Sequence, residues 1–158
     1  MWRWRHAVTD ENGLELMEEH YHVDRDAPAP KEAPPAPKAA PTDGVWHRDV
    51  VPDPVLLFRY SALTFNGHRI HYDRKYVTET EGYPGLIVHG PLIATLLVDL
   101  LRRNTDAPLK SFKFRAVTPL FDIAPFSVHG RTGDSGQVAL WARNAQGNLA
   151  MEAEAVVG

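Results

Sequence analysis

Between residues 91 and 103 the apolar positions Leu92, Ile93, Leu96, Leu97, Leu100 and Leu101 recur three and four apart, the spacing of an α-helix. Ala94 spreads the apolar positions beyond one stripe, so the pattern predicts a helix buried nearly all round. After Pro108 the period shortens. Residues 109–117, 126–131, 137–144 and 149–156 read as strands, with Gly133-Asp134-Ser135-Gly136 and Ala145-Gln146-Gly147-Asn148 as turns between the last three. In the last strand Met151, Ala153 and Ala155 alternate with Glu152, Glu154 and Val156, which predicts one buried face and one wet face. A buried helix followed by an antiparallel meander is an α+β layout. Wrapping the sheet around the one long helix is a compact way to bury it.

Upstream the pattern is more broken. Asp53 can cap a helix and Pro54 can occupy its first turn, so the run from Val55 to Ser61 reads as helical. Residues 64–73 read as a loop and residues 74–80 as a short helix, ended by Gly82-Tyr83-Pro84-Gly85. At the front, residues 4–9 and 14–23 flank Asp10-Glu11-Asn12-Gly13. Asn-Gly is a strong turn signal, so this segment predicts a β-hairpin. A lone hairpin is marginal in water, so its strands need a sheet to join. Between the hairpin and the rest lies an Ala/Pro-rich run, Ala27 to Pro41, with the composition of a semi-rigid linker. The sequence therefore divides into residues 1–26, a linker at 27–44 and a main domain at 45–158.

Composition narrows the function classes. The 158 residues suit one ordinary domain, and 44% hydrophobic content is enough for a core. A formal net charge of −3 gives no electrostatic reason to expect nucleic acid or a membrane surface as partner. The absence of cysteine excludes disulfides, thiolate metal sites and a cysteine nucleophile. No apolar run reaches the about 20 residues that span a bilayer. The basic, aromatic start is followed by no apolar signal core, so a cytoplasmic protein is the expectation.

The densest polar cluster is Thr64-Phe65-Asn66-Gly67-His68-Arg69-Ile70-His71-Tyr72-Asp73. His71 can move protons near neutral pH. Asn66 can orient a water through its amide. Gly90 stands where the long helix begins, so its N–H can meet an oxyanion and its missing side chain lets a substrate approach. Each residue also has a plainer reading: His71 as a satisfied structural histidine, Asn66 as a turn former, Gly90 as a small residue at a helix start.

The run Phe65 to Asp73, followed by Tyr76, by Gly82 to Gly85 and by Val88-His89-Gly90, resembles the MaoC-like (R)-specific enoyl-CoA hydratases, or type 2 hydratases. It is most similar to the branch that holds hydroxyacyl-thioester dehydratase type 2 and the mesaconyl-C4-CoA (3-methylfumaryl-CoA) hydratases. Asp53 to Asn66, Phe114-Arg115-Ala116, Pro119-Leu120-Phe121 and Leu140-Trp141-Ala142 extend the resemblance over residues 45–157. It implies a hotdog fold, an antiparallel sheet wrapped around one long central helix. It further implies a hydratase or dehydratase acting on an acyl thioester such as an acyl-CoA, by syn addition of water, with no metal and no cofactor. His71, Asn66 and Gly90 become the implied catalytic set. His68, Asp73, Tyr76, His89, Arg59 and Arg115 become implied substrate-binding positions, the two arginines as partners for CoA phosphates.

Two departures qualify the match. The resembled family pairs an aspartate with a histidine five residues later; here Asn66 stands in the aspartate position, and an amide cannot act as a base, so either His71 works with Asn66 only as an orienter, or His68 or Asp73 assists. Members of the branch also carry two hotdog units in one chain. Here residues 4–27 resemble only the end of the first, so the resemblance implies a homodimer or a heteromer with a second hotdog subunit. Two other classes compete. An acyl-CoA thioesterase would want a carboxylate early in the long helix, where Asp99 comes late. A non-catalytic hotdog subunit would explain both departures.

Overall fold

A computed structural model describes residues 2–13, 15–22 and 36–158. Met1, Leu14 and residues 23–35, which include the first half of the expected linker at 27–44, lie outside the described residues. The front unit is a hairpin of β1 (Trp2–Thr9) and β2 (Glu15–His22), paired from Trp2↔His22 to Thr9↔Glu15. Its turn is closed by the Gly13 N–H donating to the Asp10 carbonyl at 3.1 Å, and Gly13 takes φ +79°, the left-handed region glycine tolerates. Arg3 and Arg5 both reach the Glu19 carboxylate, which holds it down to about 2. Trp2, Trp4, Val8, Leu16, Met17 and Tyr21 are exposed on this hairpin.

The second unit is a five-stranded sheet and a central helix. Strands β3 (Trp46–Val50), β4 (Leu109–Ala116), β5 (Phe126–Thr132), β6 (Gln137–Asn144) and β7 (Leu149–Val157) pair antiparallel in the order β3-β5-β6-β7-β4. The inner face carries Phe126, Val128, Val138, Leu140, Ala142, Met151, Ala153 and Ala155, joined in one core with Leu92, Ile93, Leu97, Leu100 and Leu101 of α2 (Gly90–Arg102). On β7 the predicted alternation holds, with Met151, Ala153 and Ala155 buried and Glu154 exposed. The helix itself is less enclosed than its composition predicts. Pro91, Thr95 and Arg102 are exposed and Leu96 and Val98 half-buried, because the sheet covers one broad side only.

Helix α1 (Pro54–Leu63) forms where the Asp-Pro signal places it. The Asp53 carboxylate accepts from the N–H groups of Val55 at 2.8 Å and Leu56 at 3.0 Å, filling two of the donors a helix start leaves unpaired. Asp53→Ala is expected to lower stability by about 1 kcal/mol, readable as a small drop in the urea midpoint at unchanged slope. The expected short helix at 74–80 is present, with Tyr76–Thr80 wound as a π-turn.

Two expectations need correction. Residues 36–44 do not behave as linker. The Lys38 carbonyl accepts from the Leu149 N–H at 2.8 Å, and the Ala40 N–H donates to the Gly147 carbonyl at 3.0 Å. Ala40 is buried with Trp141 and Leu149 on the outer face of the sheet. Gly44 fits here because a Cβ would stand 2.9 Å from the Trp141 ring. The second correction is β3, an edge strand not anticipated from Trp-His-Arg-Asp-Val, whose three central side chains are all exposed. Among the described residues, no helix is long and apolar enough to cross a membrane.

Candidate active site

The site is organised by residues 86–88, which run between two other segments. On one side the Ile87 N–H donates to the Ile70 carbonyl at 3.1 Å. On the other, the Val88 N–H donates to the Leu120 carbonyl at 2.8 Å and the Asp122 N–H to the Leu86 carbonyl at 3.0 Å. The Asp122 carboxylate, only 1% exposed, accepts from the Leu86 N–H and pairs with Arg74. Gly85 must be small, since a Cβ there would lie 2.7 Å from both Asp122 and Ile123. These ties fix the Ile87 carbonyl.

His71 ends a 3-10 turn, Arg69–His71, and is buried. Its Nδ1 lies 2.7 Å from the Ile87 carbonyl oxygen. A carbonyl only accepts, so Nδ1 carries the proton and Nε2 keeps its lone pair. Burial lowers the His71 pKa below its ordinary value; the Ile87 hydrogen bond opposes this and nearby His68 adds to it. The neutral ring, a base at Nε2, is therefore the resting form.

His89 immediately precedes α2 and stacks on His71, with ring centroids 3.7 Å apart and planes 16° apart. Its Nε2 is 2.8 Å from the Ser61 hydroxyl. Burial, helped by His71, pushes its pKa down to about 4. The stack brings His71 next to the start of α2, where Gly90 is the first helical residue. A Cβ on Gly90 would meet no other segment of the described residues within 4 Å, so the space beside its Cα is open. A helix start with free N–H groups and its positive dipole end suits a carbonyl oxygen gaining negative charge.

Asn66 lies at the edge of this cluster. Its Oδ1 accepts from the His68 N–H at 3.0 Å, and the His68 ring stands edge-on to His71 at 5.7 Å. The preceding Phe65 has φ +53°, a conformation that costs a bulky residue energy, and is 96% exposed. Asp73 and Tyr76 are engaged with their own loop. Asp73 accepts from Arg69 at 2.8 Å and from the Tyr76 N–H at 3.0 Å, which lowers its pKa. Tyr76 donates to Glu81 at 2.6 Å and lies under the Arg69 guanidinium. Arg59 is exposed on α1. Arg115 sits opposite Glu152 on the outer face, lining a cavity of about 400 Å³ with Lys38, Trp141 and Glu154. The structure thus brings His71, His89, Gly90, His68 and Asn66 together and leaves Arg115 on the other side of the sheet. Asp99 is held by Arg48 at 2.6 Å and Arg103 at 2.7 Å, away from the helix start.

Ser61 and the Ile87 carbonyl were not anticipated as site groups. Ser61 carried a signal: it follows Leu57 by one helical turn and shares its buried stripe, an unusual place for a hydroxyl. The Ile87 carbonyl, being backbone, carried none.

The sequence pattern of the family described as hydroxyacyl-thioester dehydratase type 2 matches residues 1–122. A mesaconyl-C(4)-CoA hydratase of Chloroflexus aurantiacus is 49% identical over 144 residues, 90% of this chain and 51% of that protein. The chain spans about half or less of the length of the curated relatives it matches. A MaoC-like dehydratase from Phytophthora capsici superposes with a TM-score of 0.70 at 18% identity, covering 99% of this chain and 56% of that one. A chain from the ChsH1-ChsH2 complex of Mycobacterium tuberculosis superposes with a TM-score of 0.59 at 19% identity, covering 71% of this chain and 91% of that one. These likenesses bear out the α+β hotdog fold expected from the sequence.

Proposed function

The chain belongs to the hydroxyacyl-thioester dehydratase type 2 family, and from that membership we propose that it adds water to α,β-unsaturated acyl thioesters, or removes it from the 3-hydroxy forms. The observation that carries this is the Nδ1–H of His71 bonded to the Ile87 carbonyl, which leaves a neutral Nε2 as base beside a helix start. The thioester carbonyl accepts a hydrogen bond from the Gly90 N–H. Water lies between the Asn66 amide and His71 Nε2. His71 takes a proton from the water as the oxygen bonds to the β-carbon. The electron pair of the double bond moves onto the thioester as an enolate, whose oxygen Gly90 stabilises. The proton then passes from the His71 imidazolium to the α-carbon, completing addition on one face and restoring the base. Asn66 orients the water and carries no proton.

We assign the substrate to the CoA thioesters, with a C4-dicarboxylate acyl group such as mesaconyl-C4-CoA as first choice on the strength of the Chloroflexus relative. The working form is a pair of hotdog units, as a homodimer or with a second hotdog subunit. The edge position of β4 in the sheet of the described residues, with Phe114 and Leu109 exposed, supports this. The test is an ultraviolet assay of the purified chain at the enoyl-thioester absorbance, with crotonyl-CoA and mesaconyl-C4-CoA. Absorbance is expected to fall, faster with mesaconyl-C4-CoA. A folded dimer that changes neither substrate would sink the hydratase reading in favour of a non-catalytic subunit.

A further inference from the structure

The mechanism leaves one buried titratable group without a task. His89 is 1% exposed, and its Nδ1 finds no hydrogen-bond partner among the described residues. Whichever of Ser61 and His89 donates in their hydrogen bond, Nδ1 is left over, as an N–H or as a lone pair. A buried unpaired polar atom destabilises the fold, which an apolar side chain at this position would avoid. Packing alone therefore does not account for an imidazole here.

The stack supplies a reason. Two imidazoles face to face at 3.7 Å cannot both be charged without strong repulsion. The pair takes up one added proton, and so one positive charge, at most, and the surroundings decide where. The Ile87 carbonyl stabilises an imidazolium at His71, whereas His89 has no acceptor for a second N–H. Tyr60, with its ring 4.8 Å from His89, and His68, edge-on to His71, bring no carboxylate to change that preference. Ser61 projects from α1 and His89 leads into α2, so their bond ties both helices to the ring beneath His71.

Resting on the hydratase reading above, we propose that His89, anchored by Ser61, is a positioning residue: it stays neutral, supports the His71 ring from below, and confines the reaction's proton to His71 Nε2. Ser61→Ala removes the anchor with little change in volume. The His89 ring then tilts, water reaches the stack, and His71 loses part of the desolvation that lowers its pKa.

The experiment is nitrogen-15 NMR of the histidine rings in the full chain, with hydratase kinetics on the same samples, for wild type, Ser61→Ala, Ser61→Thr and His89→Phe. In wild type, His71 is expected as the Nδ1–H tautomer, with no titration of His89 above pH about 5. Ser61→Ala is expected to move the His71 titration upwards and to lower kcat about tenfold, with KM within about twofold. Ser61→Thr, which restores the hydroxyl, is expected to reverse both changes. His89→Phe keeps a ring but loses the anchor, and should resemble Ser61→Ala. A His71 titration unmoved by Ser61→Ala would overturn the proposal, and so would a rate loss that Ser61→Thr fails to reverse. If wild type hydrates neither thioester, the reaction assignment fails while the NMR arm still decides whether His89 positions His71.

Discussion

His71→Ala is expected to lower kcat/KM for enoyl-thioester hydration about a thousandfold while the chain stays folded. General acid–base catalysis by a placed side chain contributes roughly 10²–10⁴-fold, and in this mechanism one ring both takes the proton from water and returns it to the α-carbon. The paired Asn66 cannot substitute, because an amide has no basic lone pair at neutral pH. Where an aspartate shares the task, deleting the histidine leaves that carboxylate behind as a base; here Asn66 supplies none in its place. The check is the ultraviolet assay on wild type and variant at equal concentration, with circular dichroism to confirm the fold. Activity within tenfold of wild type would remove His71 from the mechanism and direct attention to His68.

The same ring sets the pH dependence. Its pKa lies below the ordinary value of 6.5, so the base form prevails at pH 7 and hydration should fall on the acid side, through a pKa below 6.5. Stability follows the same direction. The folded state holds His71 and His89 neutral, His89 down to about 4, whereas the unfolded chain protonates both near 6.5. Between those values the unfolded state binds more protons, so the domain loses stability as pH falls through that window.

How much of this was legible in the sequence follows from which groups do the work. The leucine spacing announced α2, and the change of period after Pro108 announced β4 to β7, because both elements bury one face and side chains record that. Strand β3 escaped because edge strands expose most of their side chains, leaving Trp46 and Val50 as the only apolar marks. The run 36–44 escaped for the opposite reason: it reads as linker by composition, yet docks through backbone hydrogen bonds and the small residues Ala40 and Gly44. At the site, the polar cluster 64–73 and the glycine at the helix start marked His71, Asn66 and Gly90, and the family resemblance added His68 and His89. The fixing of the His71 tautomer was invisible, since its partner is a carbonyl that every residue possesses. Arg115, which the resemblance implied as a partner for CoA phosphates, lies opposite Glu152 on the outer face, because successive side chains on a strand point to opposite faces.

Gly90→Ala is expected to lower kcat/KM about a hundredfold without loss of stability. The two halves of this expectation rest on one observation. A Cβ at Gly90 meets no other segment of the described residues within 4 Å, so nothing packed against it there opposes a methyl group, and alanine favours a helix more than glycine does. On a helix the Cα–Cβ bond tilts towards the N-terminus, so the methyl projects to the same side as the free N–H. It would stand where the thioester carbonyl must approach. A displacement of about 1 Å there can cost about 10²-fold, comparable with losing one oxyanion donor. The loss should fall on kcat as well as KM, because the bond to Gly90 strengthens as the enolate forms. A thermal melt at or above that of wild type, together with the rate loss, would separate a blocked approach from a damaged fold. Wild-type kinetics in Gly90→Ala would mean that the carbonyl binds elsewhere, and the Leu92 N–H would be the next donor to test at the same helix start.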